Sequence, residues 1–309
     1  MKKYKIFIDG QSGTTGIQVS DRLTNHDDIS ILKIDPDDRK NPNAKKLLMK
    51  ESDVTLLCLP DGAVADSVQL AKESGTRIID ASSVNRVNSG WTYGLPELDK
   101  NQRVLIRNSS LVSNPGCFAT GAILLLKPLI SGGFLNPNAC VKIFGASGFS
   151  GGGSSMIENY TKSENPSAFS LYGLSLNHKH IPEIEMWSSL KTRPMFLPSV
   201  VNRDQGMEVI IPISCDQLNK PISDLNHILS RYYENEPLVR VSNGLDKKSF
   251  LHIEGLKDTC FCDLYFHQND DQHLLVAKLD NLGKGASGAA VQNLNIMLGL
   301  PEHTGIHLK

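Results

Sequence analysis

Directly after its first apolar segment the chain reads "FIDGQSGTTG", with Gly10, Gly13 and Gly16 at three-residue steps. That spacing leaves few structural choices, because a strand must end there in a tight turn and hand over to a helix that packs closely against it. The surroundings agree with this demand. "YKIFID" (4–9), "SILKID" (30–35), "DVTLLCLP" (53–60) and "RIIDAS" (77–82) are short apolar runs ended by turn formers. Between them "TTGIQVSDRL", "PNAKKLLMK" and "GAVADSVQLAKES" carry helical patterns. The alternation predicts an α/β unit with a doubly wound parallel sheet.

A glycine turn opening a helix brings backbone amides and the helix dipole to bear on an anion, with the Thr14 and Thr15 hydroxyls nearby. At the head of a βαβ unit this is a variant of the dinucleotide fingerprint. The nicotinamide type is left open. Asp35, read as the end of the second strand, favours the ribose hydroxyl of NAD, whereas Arg39 and Lys40 favour the extra phosphate of NADP.

Composition removes other classes. A formal charge of -1 and a pI near 6.7 give no electrostatic footprint for nucleic acid, so none is expected as a partner. No apolar stretch is long enough to span a bilayer, and the N-terminal apolar segment stops at Asp9, too soon for a signal-peptide core. A cytoplasmic protein without membrane attachment is expected, its six cysteines reduced. Those cysteines lack metal-type pairing, "CFC" having no second knuckle, so no metal is expected.

One cysteine stands apart. "SNPGCFATG" (113–121) sets Cys117 on the first turn of the apolar helix continued by "AILLLKPLI", behind a turn of Asn114, Pro115 and Gly116. A free cysteine is ordinarily a small buried hydrophobe, the reading given to Cys58, Cys140 and Cys215 beside apolar strands. At a helix N-terminus the amides stabilise the thiolate and can also hold an oxyanion formed beside it, which suits a nucleophile.

Beyond that helix "CVKIFGA", "MEVIIPI", "PLVRV" and "HLLVAKL" are strands separated by irregular segments, predicting a second α+β domain with a mixed or antiparallel sheet. "LYGLSLNHKHIPEIEMW" supplies His178 and His180 ahead of a helix begun by Pro182, and an extended backbone there would aim both imidazoles to one side. "GASGFSGGGSS" (145–155) is either an anion-approaching loop or a flexible linker. "GASGAAVQNLNIMLGL" predicts a terminal helix ended by Gly299 and Pro301.

Taken together, "DGQSGTTG", "SNPGCFATG", "YGLPEL", "HKHIPE" and "DNLGKGASGAAVQNLNIMLG" resemble the N-acetyl-γ-glutamyl-phosphate reductase family, in its shorter type, in family order from residue 8 to residue 299. The resemblance implies a Rossmann-like domain with a second α+β catalytic domain, the glyceraldehyde-3-phosphate dehydrogenase-like arrangement. The implied boundaries are 1–116 plus 284–309 for dinucleotide binding and 117–283 for catalysis and oligomerisation.

The resemblance also implies roles. Cys117 is the nucleophile, and His178, six residues past Tyr172, is the acid/base with His180 beside it at the substrate. Gly10, Ser12, Gly13, Thr14, Thr15, Gly16, Ser82, Asn281 and Lys284 hold NADP(H). Ser83, Arg86 and Asn114 meet the substrate, Arg86 through its phosphate. A basic residue common in the family near "VNRDQGM" has no secure counterpart in Arg203. The expected activity is NADPH-dependent reduction of a small acyl phosphate to the semialdehyde through a cysteine thioester, in arginine biosynthesis, by a homotetramer. The competing readings are an aspartate-semialdehyde dehydrogenase, a cysteine hydrolase or acyltransferase, and a nucleotide-sensing regulator.

Overall fold

A computed structural model of the chain describes residues 3–222, 224–242 and 250–307. The chain divides into two units, Met1–Pro115 with Ala286–Lys309, and Gly116–Gly285.

The first unit runs β1 (Tyr4–Asp9), α1 (Thr14–Leu23), β2 (Ile29–Leu32), α2 (Pro42–Glu51), β3 (Val54–Leu57), α3 (Val64–Ser74), β4 (Arg77–Asp80), β5 (Thr92–Tyr93), α4 (Gln102–Asn108) and β6 (Leu111–Ser113). Its strands pair in the order β2-β1-β3-β4-β6-β5, every neighbour parallel. β1 and β3 are buried nearly throughout, as strands covered on both faces must be. Phe7, Met49, Leu57, Val64, Ala71, Ile78 and Trp91 form one cluster of its core. Because β2 and β3 lie on opposite sides of β1, the winding reverses at the end of β1, which places the glycine turn at the switch point. Asn41 starts α2 by accepting the amides of Asn43 and Ala44, with Pro42 in the position where a missing N–H costs nothing.

The second unit contains α5 (Cys117–Ser131), β7 (Lys142–Gly148), α6 (Gly153–Lys162), β8 (Phe169–Leu171), α7 (Ile181–Ser188), β9 (Met195–Val201), β10 (Met207–Ser214), α8 (Leu225–Tyr232), β11 (Val239–Val241), β12 (Cys262–Gln268) and β13 (Gln272–Leu279). Its seven-stranded sheet has the order β11-β12-β13-β10-β7-β9-β8. Direction is mixed: β7 and β9 are parallel, as are β11 and β12, and the remaining pairs are antiparallel. α5 covers one face against β10 and β13. Close approach is what Gly121 provides, since a Cβ there would stand 2.7 Å from Val209 Cγ2. A wide turn, Gly283–Ser287, leads into α9 (Gly288–Leu298), which belongs to the first unit, packs there on α1 and α4, and ends at Gly299 with φ +71°.

Both sheets agree with the expected fold class, and four local expectations are corrected. β2 stops at Leu32, so Asp35 lies beyond the strand, where its side chain accepts the Asp37 amide at the head of a 3-10 turn. The 145–155 segment is no linker: it is the end of β7, a 3-10 turn and the start of α6. The histidine segment turns instead of extending, because the His180 amide folds back onto His178 Nδ1. Cys140 and Cys215 are exposed, each lying just outside a strand end, while the buried cysteines are Cys260 and Cys262. Among the described residues no helix is long and apolar enough to cross a membrane.

Candidate active site

In the first unit the glycine turn is built by contact. Gly10 adopts φ +93°, and a Cβ there would lie 2.3 Å from Cys58 O. A Cβ on Gly16 would lie 2.1 Å from Gly10 O. Only glycine fits at either place. Gly13 is different: a Cβ there would reach nothing nearer than 3.5 Å, so the turn is open above it. Gly13 is also the N-cap of α1, and no side chain caps that helix. Amides of the first turn beside an open glycine fit a pyrophosphate, so the residues present suit a dinucleotide. Thr14 and Thr15 are half-buried there and Ser12 is exposed.

Asp9 closes β1 beneath this turn, paired with Lys45 Nζ at 2.9 Å and accepting Ser67 Oγ at 2.8 Å. Next to it Cys58 has its thiol pushed up to about 12, by burial first and then by the Asp80 and Asp9 carboxylates. That thiol is inert at neutral pH. Asp80 in turn accepts the amide and hydroxyl of Ser82 and the amide group of Asn85, while Asp61 accepts the amide and hydroxyl of Ser83. Arg86 is buried and donates to the carbonyls of Asn114 (2.9 Å) and Ala81 (3.2 Å). Asn114 is buried too, donating to Ala286 O and accepting from Asn293. Arg86 and Asn114 therefore brace the turn that leads to Cys117, while Ser82 and Ser83 are held by Asp80 and Asp61 in the loop after β4.

In the second unit Cys117 is the first residue of α5 and half-buried, while Phe118 through Leu126 behind it are buried. Gly116, the N-cap, contributes no capping side chain. Its amide donates instead to the Glu183 carboxylate at 2.7 Å. On another side Gly285 packs so closely that a Cβ there would meet Cys117 Cβ at 2.6 Å. Phe118 fits because Gly145 of β7 has no side chain, and its ring lies 6.2 Å from that of His178 and 6.1 Å from that of His180.

The two imidazoles are 4.7 Å apart, His178 half-buried and His180 buried as the N-cap of α7. His178 Nδ1 accepts the His180 amide at 3.1 Å, so in the neutral ring the proton sits on Nε2. Tyr172 lies 5.8 Å from His178, ring to ring. Its phenol is pushed well above the ordinary range by burial and then by the charge of Cys117, which puts phenol and thiol in one neighbourhood. Cys117, His178, His180 and Tyr172 are thus gathered by α5 and the turn before α7. Asn281 and Lys284 are buried: Asn281 accepts the Gly206 amide and donates to Ser150 Oγ, and Lys284 is 1% exposed.

Residues 36–105 match the family model described as semialdehyde dehydrogenase, NAD binding domain, and residues 117–281 that of semialdehyde dehydrogenase, dimerisation domain. The chain is therefore a semialdehyde dehydrogenase by class, an oxidoreductase with a nicotinamide-dinucleotide domain. Solved structures share the fold: aspartate semialdehyde dehydrogenase II from Vibrio cholerae superposes with a TM-score of 0.73 at 14% identity, covering 97% of this chain and 99% of that one. The enzyme with NADP from Candida albicans gives 0.67 at 12%, covering 96% and 99%. Within the class, sequence is more specific. N-acetyl-gamma-glutamyl-phosphate reductase of Trichormus variabilis is 42% identical over 99% of this chain and all of its own length. That of Chelativorans sp. is 43% identical over 95% and 98%. The chain belongs to the N-acetyl-gamma-glutamyl-phosphate reductase family.

Two participants escaped the sequence reading. Glu183 looks there like a solvated acid in a first helical turn, and its burial depends on α5, far away in sequence. Gly285 was legible only as part of a small-residue run.

Proposed function

We propose that this protein reduces N-acetyl-γ-glutamyl phosphate to N-acetyl-L-glutamate 5-semialdehyde and phosphate in arginine biosynthesis, through a thioester on Cys117. The observation that carries the reading is a half-exposed thiol at the start of a buried helix, with a histidine and a phenol gathered round it. Attack by the Cys117 thiolate on the acyl phosphate forms the carbon–sulfur bond and expels phosphate, dividing one difficult reduction into two easier steps. Bound NADPH supplies the hydride that reduces the acyl carbon. The amides at the start of α5 stabilise the oxyanion of the resulting thiohemiacetal. His178 Nε2–H, its tautomer set by the His180 amide, donates to that oxyanion, which collapses to the aldehyde as the carbon–sulfur bond breaks and Cys117 leaves as thiolate. The burial of His180 supports a structural part for it beside His178.

NADP is favoured over NAD. Asp35 stands outside the strand end with one oxygen committed to the Asp37 amide, while Arg39 is exposed nearby. The glycine turn with Thr14 and Thr15 would hold the pyrophosphate, and Arg86 would act by bracing the turn ahead of Cys117. The chain is also proposed to form a homo-oligomer. The sheet face away from α5 leaves Phe144, Met195 and Leu274 partly exposed, an apolar surface that a second copy would cover. Sedimentation of the purified chain tests this, and a monomer at micromolar concentration would overturn it.

The deciding experiment mixes protein and acyl phosphate without NADPH and maps the peptides by mass spectrometry. One N-acetylglutamyl group on the Cys117 peptide, discharged as aldehyde when NADPH is added, is the expected result. An unmodified Cys117, or acyl transfer to water unaffected by NADPH, overturns the reading.

A further inference from the structure

The hydrogen bond between Gly116 and Glu183 joins the two halves of the proposed chemistry. Gly116 is the residue before the nucleophile, and as the N-cap of α5 its amide has no partner within its own helix. Glu183, on α7 and 1% exposed, accepts that amide at 2.7 Å. An acid in a first helical turn ordinarily serves its own helix's amides or faces water. Here it reaches across to another helix. The same α7 carries the histidine turn at its head: Ile184 N donates to His180 O at 3.0 Å, Ile181 N to His178 O at 3.0 Å, and His180 N to His178 Nδ1 at 3.1 Å. Hydrogen bonds together with the first turn of α7 therefore link the Gly116 backbone, next to Cys117, with the imidazole of His178.

We propose that Glu183 is a positioning residue, fixing the direction of the Cys117 thiol relative to His178 while restraining its ionisation. Positioning follows from geometry. With Gly285 pressed against Cys117 Cβ on one side and Glu183 holding Gly116, the start of α5 has little room to shift. Restraint follows from charge. A carboxylate one residue from the thiol opposes a thiolate, and it also occupies an amide that would otherwise favour one. Titratable groups also stand on the elements packed beside Cys117: Tyr172 after β8, His178 and His180 before α7, and, along the stretch that ends at Gly285, Asp280 and Lys284. The Asp280 carboxylate accepts the amides of Asp258 and Leu282.

The inference rests on Cys117 being the nucleophile, and Glu183→Ala and Glu183→Gln in the full chain test it. Glutamine keeps an acceptor oxygen at the same reach and removes the charge. Two measurements are made: kcat and KM for aldehyde, phosphate and NADP+, and the pH midpoint of Cys117 alkylation by iodoacetamide, resolved by peptide mapping. Glu183→Ala is expected to lower kcat on the order of 100-fold, as a misplaced reacting atom does, with KM changed by roughly threefold or less. Glu183→Gln is expected to recover to within about fivefold of the parent. Both should move the alkylation midpoint down, by roughly one unit. A kcat within about threefold for Glu183→Ala, or a midpoint unmoved in both variants, overturns the proposal. If Glu183→Ala does not fold, Glu183→Gln decides alone: a lowered midpoint with kcat nearly kept supports the proposal, and an unmoved midpoint overturns it. Undiminished turnover in Cys117→Ser would instead defeat the nucleophile reading beneath it.

Discussion

Cys58 and Cys117 carry the same group just beyond the end of a strand, and their surroundings send them opposite ways. Cys58 follows β3 directly, and burial with the Asp80 and Asp9 carboxylates holds its proton on, up to about 12. Cys117 follows β6 after three residues and opens a buried helix whose first amides point toward it. Burial with two carboxylates keeps one sulfur protonated, while the other sits half-buried at a helix start with the Glu183 carboxylate tied to the residue before it. Chemical reactivity here is a property of the element that accepts the residue, and partial exposure alone does not separate the two, since both residues retain some.

The strongest way to break that contrast is substitution at each position. Cys117→Ser is expected to lower turnover on the order of 10,000-fold or more, because an alcohol is a far poorer nucleophile at neutral pH. Cys58→Ser, measured per folded protein, should stay within about twofold. Equal losses would mean that Cys58 takes part in chemistry. Alkylation sharpens the point without mutation. At pH 8 a thiol ionising near 12 is thiolate in about one part in ten thousand. Iodoacetamide should therefore label Cys117 roughly a thousandfold faster than Cys58, with exposed Cys140 and Cys215 as internal references in the peptide map. Cys58 labelled as fast as Cys140 would contradict the assigned environment.

A smaller effect separates the histidines near Cys117. His178→Ala should slow the reaction about 100-fold as loss of a general acid, whereas His180→Ala should cost about tenfold or less and show mainly as a lower melting temperature. The reverse order of damage would move the acid to His180. At Cys58 the acting charges are the carboxylates of Asp80 and Asp9 instead.

The contrast was only half legible in sequence. α1 was readable to the residue, because a glycine turn and a 3.6-residue pattern coincide at Thr14 and Leu23. Cys117 at the head of an apolar helix was readable for the same reason. β9 was not, since Pro194 and Pro198 in "RPMFLPSVV" speak against a strand flanked on both sides, and only the structure shows it between β7 and β8. β5 and β6 are too short to carry a period. The acids that separate the two thiols were invisible as such. Asp80 and Asp9 end strands like many solvated acids, and their approach to Cys58 exists only once β1, β3 and β4 are paired.

The smallest expected effect concerns the first unit's own task, for if Cys58 and its carboxylates are structural, that unit's chemistry reduces to choosing a coenzyme. On the proposed reading the choice turns on residues 35 to 40. Asp35 caps the 3-10 turn through Oδ1, and Arg39 Nε donates to Pro36 O, which holds the arginine on the same exposed turn. An exposed guanidinium gains about 1 kcal/mol from a phosphate in water, because solvent and salt screen the pair. Arg39→Ala should therefore raise KM for NADPH about fivefold, leave KM for NADH unchanged within about twofold, and lose its effect as salt is raised. If KM for NADH rises in parallel, Arg39 serves the turn and not the 2'-phosphate. Discrimination would then rest with Lys40, the other exposed cation of that turn, and the same pair of measurements on Lys40→Ala would locate it.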